Sequence, residues 1–486
     1  MFSMKEQISM AHQIKFGTGG WRAVIGEDFI ADNIRRVAQG VALMIKEDGA
    51  ENIPVPIGYD RRFLSDTAAR WMAEVLCANG VKVQFLHRSA PTPLIMHRVK
   101  KFDLYCGLEV TASHNPSSYN GIKLIVREGR DASLEATQRL ESIINSLEVE
   151  DVQRMPFEKA EKDGLLEFLH NPFDPFMDDI IARLDMQAIR NRGMRIAFDP
   201  MHGSGTYPLM VILCTARVTV DIIHQNKDAY FGAAMPAPTK HTLEELARKV
   251  RTGGYDLGIA FDGDGDRVGI IDEKGRYVSA NEILAMLYWY LHEFKGWKGP
   301  VVRNQSTTHM LDRIAESFGE ECHEVPVGFK YISSKIDETD AVLGGESSGG
   351  LTVRGHIFGK DSIYASCLFV EMLSATGMTT SQILDMLHAK YGDTVFLEEA
   401  FTFEAAEKAR IAKVILEDRQ LPPLEDVEKV TYTDGCKVYF TDGGFITCRF
   451  SGTEPLLRLM AEGPTQEKTQ SHIDAFKALV KSIIES

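Results

Sequence analysis

Three short apolar segments of this chain end alike, with an aspartate directly after the last apolar residue. They are Ile57–Asp60, Ile196–Asp199 and Ile259–Asp262. A short apolar run bounded by turn residues is typical of a buried strand. A helical pattern over Ser65–Cys77 follows the first of them, and strands that alternate with helices indicate sheets covered by helices. The pattern predicts repeated α/β units, although no fixed repeat period is visible.

Length and charge limit the classes of protein that fit this sequence. The chain has 486 residues, and at about 100–200 residues per domain we expect three or four domains. The formal net charge is -15, from 54 basic and 69 acidic residues. This balance argues against a general nucleic-acid or membrane surface, but it allows a local basic pocket for a phosphorylated small molecule.

The cysteines and the apolar segments predict a cytoplasmic protein. The 7 cysteines contain no C-x-x-C pair, so neither a disulfide framework nor a zinc site is expected, and the thiols should be reduced. Met1–Phe16 has no long apolar core of a secretory signal. A run of about 18 apolar residues is also absent, so no membrane-spanning helix is expected.

A candidate nucleophile follows the apolar run Leu104–Val110. The next residues, Thr111–Pro116, read T-A-S-H-N-P, and a proline cannot continue a strand ladder. Ser113 is therefore expected on a loop at a strand end, with His114 beside it and Lys123 further on. A serine needs a base and a charge-neutralising partner to act as a nucleophile. Since Ser, Asn and Pro are also ordinary turn residues, the segment alone fits a structural turn equally well.

A candidate metal site lies at Asp262, Asp264 and Asp266. Carboxylates at alternate positions of an extended loop project to one side, and their repulsion is costly unless a cation neutralises it. Oxygen ligands suit Mg²⁺. An EF-hand is disfavoured because Arg267 stands where that loop requires glycine, although Glu273 falls at its last ligand position. A solvated acidic hairpin remains the alternative.

Other loops could bind phosphate or sugar groups. Glycines in Lys15–Arg22 let backbone N–H groups approach an anion. Gly344–Gly350 places one carboxylate and two hydroxyls between glycines, and Arg449–Arg458 combines hydroxyls with two arginines, whose planar forks fit phosphate oxygens. Taken alone, Gly344–Gly350 fits a plain flexible loop equally well, and Lys15–Arg22, Arg449–Arg458 and above all Pro326–Tyr331 fit a plain loop or turn better. Gly355–Asp361 lacks one spacer and the Ser/Thr of a P-loop, so that motif is rejected.

The segment Thr111–Pro116 closely resembles the active-site loop of the α-D-phosphohexomutases, the phosphoglucomutase and phosphomannomutase superfamily. The likeness recurs in the family's order at Lys15–Arg22, Asp262–Arg267, Gly344–Gly350 and Arg449–Arg458. In that family the serine of the T-[AG]-S-H-N-P loop carries a phosphoryl group. Nearly the whole chain is covered, so chance is a weak explanation.

The resemblance implies a role for each matching residue. The positions implied to be catalytic are Arg22, Ser113, His114, Lys123 and Arg267, with Lys123 as the expected base. The positions implied to bind substrate are Lys330, Glu346, Ser348, Arg449, Ser451, Gly452, Thr453 and Arg458. The positions implied to hold Mg²⁺ are Asp262, Asp264 and Asp266, together with the phosphate on Ser113.

The resemblance also implies an architecture. We expect three α/β mixed-sheet domains and a smaller C-terminal α+β domain around a central cleft. The boundaries place the serine loop in 1–160, the metal loop in 161–275, the sugar-recognition loop in 276–393 and the phosphate-binding loop in 394–486. Closure of the last domain would complete the site.

The activity so implied is a mutase that interconverts hexose 1-phosphate and hexose 6-phosphate. It would use a phosphoserine, a hexose 1,6-bisphosphate intermediate that also serves as activator, and Mg²⁺. The pairing of Gly328–Lys330 with Gly345–Gly349 favours glucose phosphates, and mannose phosphate or dual specificity is the alternative. A phosphoglucosamine mutase, a metal-dependent phosphatase and a non-catalytic sugar-phosphate binding protein are less favoured. The partner is a phosphorylated hexose, and the protein is expected to be a monomer or homodimer.

Overall fold

The computed structural model describes residues 13–17, 19–451 and 455–485. The chain forms two compact units. The first contains the described residues up to Val278 together with Gly350–Thr380, and the second contains Ser279–Gly349 and the described residues from Ser381 onward. Within the described ranges, every helix is too short or too polar to cross a membrane.

The first unit begins with a mixed sheet that carries the serine loop. In spatial order its main strands are Trp21–Val24, Tyr119–Val126, Cys106–Val110, Val55–Tyr59, Val83–Phe85 and Leu166–Phe168, and Arg130–Asp131 pairs with the second of these. Strand Val55–Tyr59 is parallel to both of its neighbours, whereas Tyr119–Val126 is antiparallel to Cys106–Val110. The strands Val55–Tyr59 and Cys106–Val110 are buried along their whole length, as is typical of strands inside a covered sheet. Cys106–Val110 nevertheless includes one buried carboxyl side chain, Glu109.

Amphipathic helices cover this sheet. They are Ala31–Glu47, Ser65–Ala78, Thr92–Lys101, Leu134–Asn145 and Phe157–Lys162, with short 3₁₀ turns at Arg127–Gly129 and Val149–Asp151. Helix Ala31–Glu47 buries Ile34, Val37 and Val41, the helical spacing of a core-facing stripe. The helices therefore follow the apolar periodicity of the sequence.

A second sheet of the first unit carries the aspartates. Its strands are, in order, Tyr277–Val278, Val268–Ile271, Leu257–Phe261, Arg195–Asp199 and Thr219–Ile222. Val268–Ile271 and Tyr277–Val278 pair antiparallel and form a hairpin around Glu273–Gly275. The accompanying elements are helices Asp174–Ile181, Met186–Arg192, Thr206–Thr215, Glu244–Gly253 and Ser362–Thr376, the 3₁₀ turn Phe231–Ala233 and strand Leu351–Val353.

The second unit begins with parallel strands. Val301–Asn304 lies between Cys322–Val325 and Leu343–Gly345. The helices of this part are Ala280–Glu293, Met310–Phe318, Phe329–Thr339 and Thr380–Tyr391, the last of which starts in the first unit. Ser279 begins the first of these helices with a capping box: its hydroxyl accepts from Glu282 N, and the Glu282 carboxylate accepts from Ser279 N.

The C-terminal part of the second unit is an antiparallel sheet. Its strands are, in order, Val395–Thr402, Leu456–Gly463, Phe445–Phe450, Cys436–Phe440 and Val427–Thr431. In the chain, strands Val395–Thr402 and Val427–Thr431 are connected by three short elements. These are the 3₁₀ turn Ala405–Glu407, helix Lys408–Ala412 and the π-helical turn Lys413–Glu417. Helix Gln466–Glu485 covers the sheet with an apolar stripe at helical spacing, and its residues Ile473, Phe476, Val480 and Ile483 are buried. The predicted class, α/β sheets followed by a C-terminal α+β part, is confirmed.

Candidate active site

Ser113 lies on the loop after strand Cys106–Val110, where the sequence placed it. Its side chain is fully buried, and its backbone φ is 51°, in the left-handed region that only glycine adopts without cost. The Ser113 N–H donates to Thr111 Oγ1 at 2.8 Å, which helps to hold this conformation. Backbone strain of this kind occurs where the surrounding structure fixes a functional group.

Arg62 binds the serine loop through hydrogen bonds to its backbone carbonyl oxygens. Its Nη2 donates to the carbonyl oxygens of Ser113 at 2.6 Å and Asn115 at 2.7 Å, and its Nη1 donates to Pro116 O at 2.8 Å and Tyr119 O at 3.1 Å. Its Nε lies 3.2 Å from the buried Asp60 carboxylate. Since most of these bonds go to backbone atoms, Arg62 fixes the path of the loop.

The three aspartates lie together, and one of them, Asp262, contacts Ser113. Ser113 Oγ donates to Asp262 Oδ2 at 2.9 Å, and the other Asp262 oxygen accepts from the backbone N–H groups of Asp266 and Arg267, each at 3.0 Å. Asp262, Asp264 and Asp266 are fully buried. One carboxylate oxygen of each lies within 4.8 Å of the others, so the alternate spacing in sequence does bring the carboxylates together.

This cluster fits a hard cation. Among the described residues, Oδ1 of Asp264 and Oδ1 of Asp266 are buried without a hydrogen-bond partner, and orphaned acceptors of this kind are costly unless a ligand completes them. Burial and the two neighbouring carboxylates raise the pKa of Asp262 well above its ordinary value, because a second and third negative charge repel the first. An all-oxygen donor set suits Mg²⁺.

Two lysines contact the aspartates. Lys123 Nζ lies 2.6 Å from Asp264 Oδ2 and 2.8 Å from Asp266 Oδ2, and Lys360 Nζ lies 2.8 Å from the same Asp266 oxygen. Burial alone would lower the pKa of Lys123, but the two carboxylates outweigh it and raise the pKa. Lys123 is therefore a charged donor in this arrangement, and its role as a base stays a prediction.

The sequence did not indicate a role for Lys360, because the segment Gly355–Asp361 resembles a P-loop only incompletely and matches no other motif. The segment does carry a lysine directly before the N-cap residue of helix Ser362–Thr376, and Asp361 accepts from Ile363 N and Tyr364 N there. The local sequence carries no signal for the role of Lys360, because its partner Asp266 lies 94 positions away in the chain.

The remaining predicted catalytic residues, His114, Arg22 and Arg267, contact Ser113, its loop or the aspartates. His114 Nδ1 lies 3.4 Å from Ser113 Oγ, and burial, Arg267 and Arg22 lower the pKa of His114, which leaves its ring neutral. Arg22 Nη1 donates to Asn115 Oδ1 at 2.6 Å. Arg267 Nε lies 3.9 Å from Asp266 Oδ1. The structure thus brings all five predicted catalytic residues together with the aspartates.

Two further contacts tie the loops to each other. Thr92 Oγ1 donates to Asp264 Oδ2 at 2.7 Å, and Thr92 N donates to Asp264 O at 2.9 Å. A Cβ atom on Gly263 would stand 2.8 Å from Ser113 O, so the two loops can approach only because residue 263 has no side chain. Neither contact was expected from the sequence.

The predicted sugar-binding residues lie in the second unit. Glu346 is buried, and its Oε1 accepts from Asn304 Nδ2 and from Gly328 N, each at 3.1 Å. Ser348 is exposed two residues further on. Lys330 lies in the first turn of helix Phe329–Thr339. Glu346 is thus oriented by two donors, one from the end of strand Val301–Asn304 and one from the residue before helix Phe329–Thr339.

The predicted phosphate-binding arginines face each other across two strands. Arg449 and Arg458 are register partners in the pairing of Phe445–Phe450 with Leu456–Gly463. Asp434 accepts from Arg449 Nε at 3.0 and 2.9 Å, and Glu398 accepts from Arg458 Nη1 at 3.3 Å. Ser451 is buried beside them, while Gly452 and Thr453 lie outside the described residues.

Family models cover most of the chain. Residues 13–151, 174–275 and 279–391 match the models described as phosphoglucomutase/phosphomannomutase alpha/beta/alpha domains I, II and III. Residues 400–479 match the phosphoglucomutase/phosphomannomutase C-terminal domain. The four matches occur in this order and do not overlap.

Full-length relatives carry related names. A protein of Thermococcus kodakarensis named "Phosphoglucomutase/phosphomannomutase" is 28% identical over 463 residues, which are 94% of this chain and 96% of the relative. A protein of Pyrococcus abyssi named "Probable phosphoglucosamine mutase" is 30% identical, over 96% of this chain and 98% of the relative. A crystal structure from Thermus thermophilus superimposes with a TM-score of 0.84 at 26% identity, and the match covers 97% of this chain and 99% of that one.

Proposed function

This chain belongs to the phosphoglucomutase/phosphomannomutase family and is therefore a phosphohexomutase; we propose that it interconverts hexose 1-phosphates and hexose 6-phosphates through a phosphoryl group carried by Ser113. The observation that carries the proposal is the 2.9 Å contact between Ser113 Oγ and the buried Asp262 carboxylate. A nucleophilic hydroxyl beside a cluster of oxygen ligands is the arrangement that phosphoryl transfer requires.

The proposed step moves one phosphoryl group. A sugar hydroxyl oxygen attacks the phosphorus on Ser113, the bond from phosphorus to Ser113 Oγ breaks, and a base takes the hydroxyl proton. The product is a hexose 1,6-bisphosphate. This intermediate turns round, and Ser113 Oγ attacks the phosphorus of its other phosphate. The bond from that phosphorus to the sugar oxygen breaks, the sugar oxygen takes back the proton, and the phosphoserine enzyme is regenerated as the isomerised hexose phosphate leaves.

Particular residues of the chain would carry the parts of this reaction. Arg22 and Arg267 would neutralise phosphoryl oxygens, and His114 would orient Ser113. Lys123 would serve as the base only when its contacts with Asp264 and Asp266, which raise its pKa, are weakened, as they would be if these carboxylates held a cation. The carboxylates of Asp262, Asp264 and Asp266 would hold Mg²⁺, which when bound neutralises phosphate charge.

Residues of the second unit would hold the remainder of the substrate. Glu346 and Ser348 would accept and donate hydrogen bonds to neighbouring sugar hydroxyls, where paired contacts give specificity. Lys330 would contact the sugar phosphate. Arg449 and Arg458, with Ser451, Gly452 and Thr453, would bind the phosphate that is not being transferred.

Two hexoses are supported as substrates by different observations. The sequences Gly328–Lys330 and Gly345–Gly349 favour glucose phosphates, with mannose phosphates as the nearest alternative. The similarity to the Pyrococcus abyssi protein named "Probable phosphoglucosamine mutase" favours glucosamine phosphates. We propose glucose 1-phosphate and glucose 6-phosphate as the primary pair, with glucosamine phosphates as the second candidate.

The test is a mutase assay with separate substrates. Glucose 1-phosphate, mannose 1-phosphate and glucosamine 1-phosphate are each supplied with Mg²⁺ and a trace of the matching bisphosphate, and both the 6-phosphate product and inorganic phosphate are measured. We expect 6-phosphate without phosphate release, fastest from glucose 1-phosphate. Fastest turnover of glucosamine 1-phosphate would instead establish the second candidate.

Substitutions in the serine loop test the mechanism. Ser113→Ala should abolish turnover, because the phosphoryl acceptor is gone, whereas Ser118→Ala, which alters a second serine of the same loop, should leave the rate unchanged. Stoichiometric release of phosphate by the unaltered enzyme would identify a phosphatase. Full activity of Ser113→Ala would contradict the phosphoserine.

A further inference from the structure

Asp434 lies at the centre of a small polar network in the second unit. It stands in the turn between strands Val427–Thr431 and Cys436–Phe440. Its two carboxylate oxygens accept from Arg449 Nε at 3.0 and 2.9 Å, and Oδ2 also accepts from Val327 N at 3.1 Å. Its backbone carbonyl accepts from Gln305 Nε2. One residue thus contacts the C-terminal sheet and two loops of the preceding α/β part.

The turn that carries Asp434 is pressed against the strand that carries Arg449. Gly435 has a φ of 83°, and a Cβ atom there would stand 2.5 Å from Cys448 O and 3.2 Å from the Arg449 Cα. Only glycine fits this position, because both the conformation and the space exclude a side chain. The Asp434 carboxylate is therefore held at a fixed place beside Arg449.

The network continues from Asp434 to Glu346. Val327, which donates to Asp434, is followed by Gly328, whose N–H donates to Glu346 Oε1 at 3.1 Å. A continuous path of hydrogen bonds and one peptide unit therefore links the Arg449 guanidinium to the Glu346 carboxylate. These two side chains are the ones proposed to bind phosphate and sugar.

The contact with Asp434 determines which edge of Arg449 is presented to a ligand. Nε is the atom that Asp434 holds, so the terminal Nη1–Nη2 edge faces away from this carboxylate. A guanidinium binds phosphate oxygens through two parallel N–H groups, and this edge offers such a pair. Fixing Nε thereby orients the fork before the phosphate arrives, which lowers the entropy lost on binding.

We propose that Asp434 is a positioning residue, which orients Arg449 for the non-transferring phosphate and couples that contact to sugar recognition by Glu346. The inference rests on the proposed function. The Arg449 and Asp434 side chains are 31% and 25% exposed, and partly exposed ion pairs contribute little to stability. Loss of Asp434 should therefore change substrate binding far more than folding.

Asp434→Asn is the informative variant. The amide keeps the size of the side chain but can no longer accept with both oxygens, so Arg449 loses its charged partner. We expect KM for the hexose phosphate to rise about 10- to 100-fold, as for a lost charge-assisted hydrogen bond, while kcat falls less than about 3-fold. Asp434→Glu, which restores the charge, should recover part of the affinity.

A matched control and a double-variant cycle separate positioning from a structural role. Asp442→Asn removes a carboxylate of the next turn, which accepts from Gly444 N and pairs with Lys468, and it should leave KM unchanged. Glu346→Gln combined with Asp434→Asn should raise KM by less than the product of the single effects, because the two residues act on one network.

Direct binding measurements keep this inference separable from the proposed function. Binding of glucose 6-phosphate and of inorganic phosphate is measured by calorimetry for the unaltered protein and for Asp434→Asn. Weaker binding of both ligands by the variant, with an unchanged unfolding midpoint, supports the inference. Failure of the protein to isomerise any hexose phosphate would overturn only the proposed function and would leave this result standing. Equal binding by the two proteins, or strictly multiplicative effects in the cycle, would overturn the inference.

Discussion

Arg62 is a buried arginine whose guanidinium group is bonded mainly to backbone carbonyl oxygens. Four of these belong to the segment from Ser113 to Tyr119, and the Arg62 and Asp60 side chains are both fully buried. Arg62→Met would remove the guanidinium N–H groups that donate to these loop carbonyls. It would also leave the Asp60 carboxylate without its positively charged partner.

We expect Arg62→Met to lower the free energy of unfolding by about 3–5 kcal/mol, the usual cost of breaking a buried ion pair. We also expect kcat to fall at least about 10-fold, because the position of Ser113 is no longer fixed. Urea unfolding and the mutase assay measure the two effects. Arg61→Met is the control, since the neighbouring Arg61 donates only one described bond, to Gln225 O, and should change little. An unaltered kcat would show that the loop keeps its path without Arg62.

At the residue scale, the sequence identified the side chains of the candidate site better than the residues that hold them in place. The meeting of Ser113 with Asp262 could be expected, because each lies in a short segment of unusual composition directly after an apolar strand. Arg62 and Lys360 could not be assigned in the same way. Arg62 acts on backbone carbonyls that any loop sequence supplies, and the contact between Lys360 and Asp266 joins residues 94 positions apart.

At the scale of elements, strand Tyr119–Val126 shows where local sequence is misleading. Asn120 and Gly121 follow a Pro-containing loop and read as its continuation, yet they form part of a buried strand. A Cβ atom on Gly121 would stand 2.3 Å from Trp21 O and 2.8 Å from Thr111 O. Here glycine is needed for a close approach of backbones and not for a turn, and only the neighbouring strands reveal the difference.

Gly263 allows the loop that carries the aspartates to approach the serine loop, and this contact can be tested. In Gly263→Ala the new methyl group would meet Ser113 O at 2.8 Å, so one of the two backbones must shift. We expect kcat to fall about 10- to 100-fold, because a displacement of this size misaligns Ser113 and the aspartates. Steady-state kinetics over a range of Mg²⁺ concentrations provide the measurement.

Gly164→Ala is the matched control for Gly263→Ala. Gly164 adopts a φ of 72° in open space, so the substitution should cost about 1 kcal/mol of stability and leave kcat unchanged. If Gly263→Ala retained the kcat of the unaltered enzyme, the two loops would have to tolerate a larger separation than this structure implies.

At the scale of the whole molecule, length and composition predicted several domains, and the family models agree with four. The proposed boundaries at 160, 275 and 393 remain a prediction. The compact units cut the chain differently, because Gly350–Thr380 belongs to the first unit. Within that unit Lys360 contacts Asp266, and Ser362 Oγ donates to Gly265 O. Composition does not reveal a segment such as Gly350–Thr380, which packs against residues far from it in the sequence.

Within the second unit, Glu324 joins the α/β part to the C-terminal sheet. Its carboxylate lies 2.6 Å from Arg303 Nη1 and 2.6 Å from the fully buried Lys437 Nζ, and Tyr439 donates a further bond to it. Burial alone would raise the pKa of Glu324, but Arg303 and Lys437 outweigh it and lower the pKa to about 2. Burial and Arg303 in turn lower the pKa of Lys437 to about 7, against the opposing effect of Glu324. Protonation of Glu324 therefore removes the negative charge that stabilises the positive forms of Arg303 and Lys437.

The lowered pKa of Glu324 determines how stability changes with acid. A carboxyl whose pKa falls from 4.5 to about 2 on folding stabilises the folded state above pH 4.5, and its contribution, about 3 kcal/mol, is lost as the pH falls toward 2. We expect the apparent urea midpoint of Glu324→Gln to lie below that of the unaltered protein at pH 7 and to converge with it near pH 2. Glu425→Gln, which alters an exposed carboxylate of the same unit, should follow the unaltered protein throughout. A constant difference between Glu324→Gln and the unaltered protein from pH 7 to pH 2 would show that Glu324 stabilises the unit through packing and not through its charge.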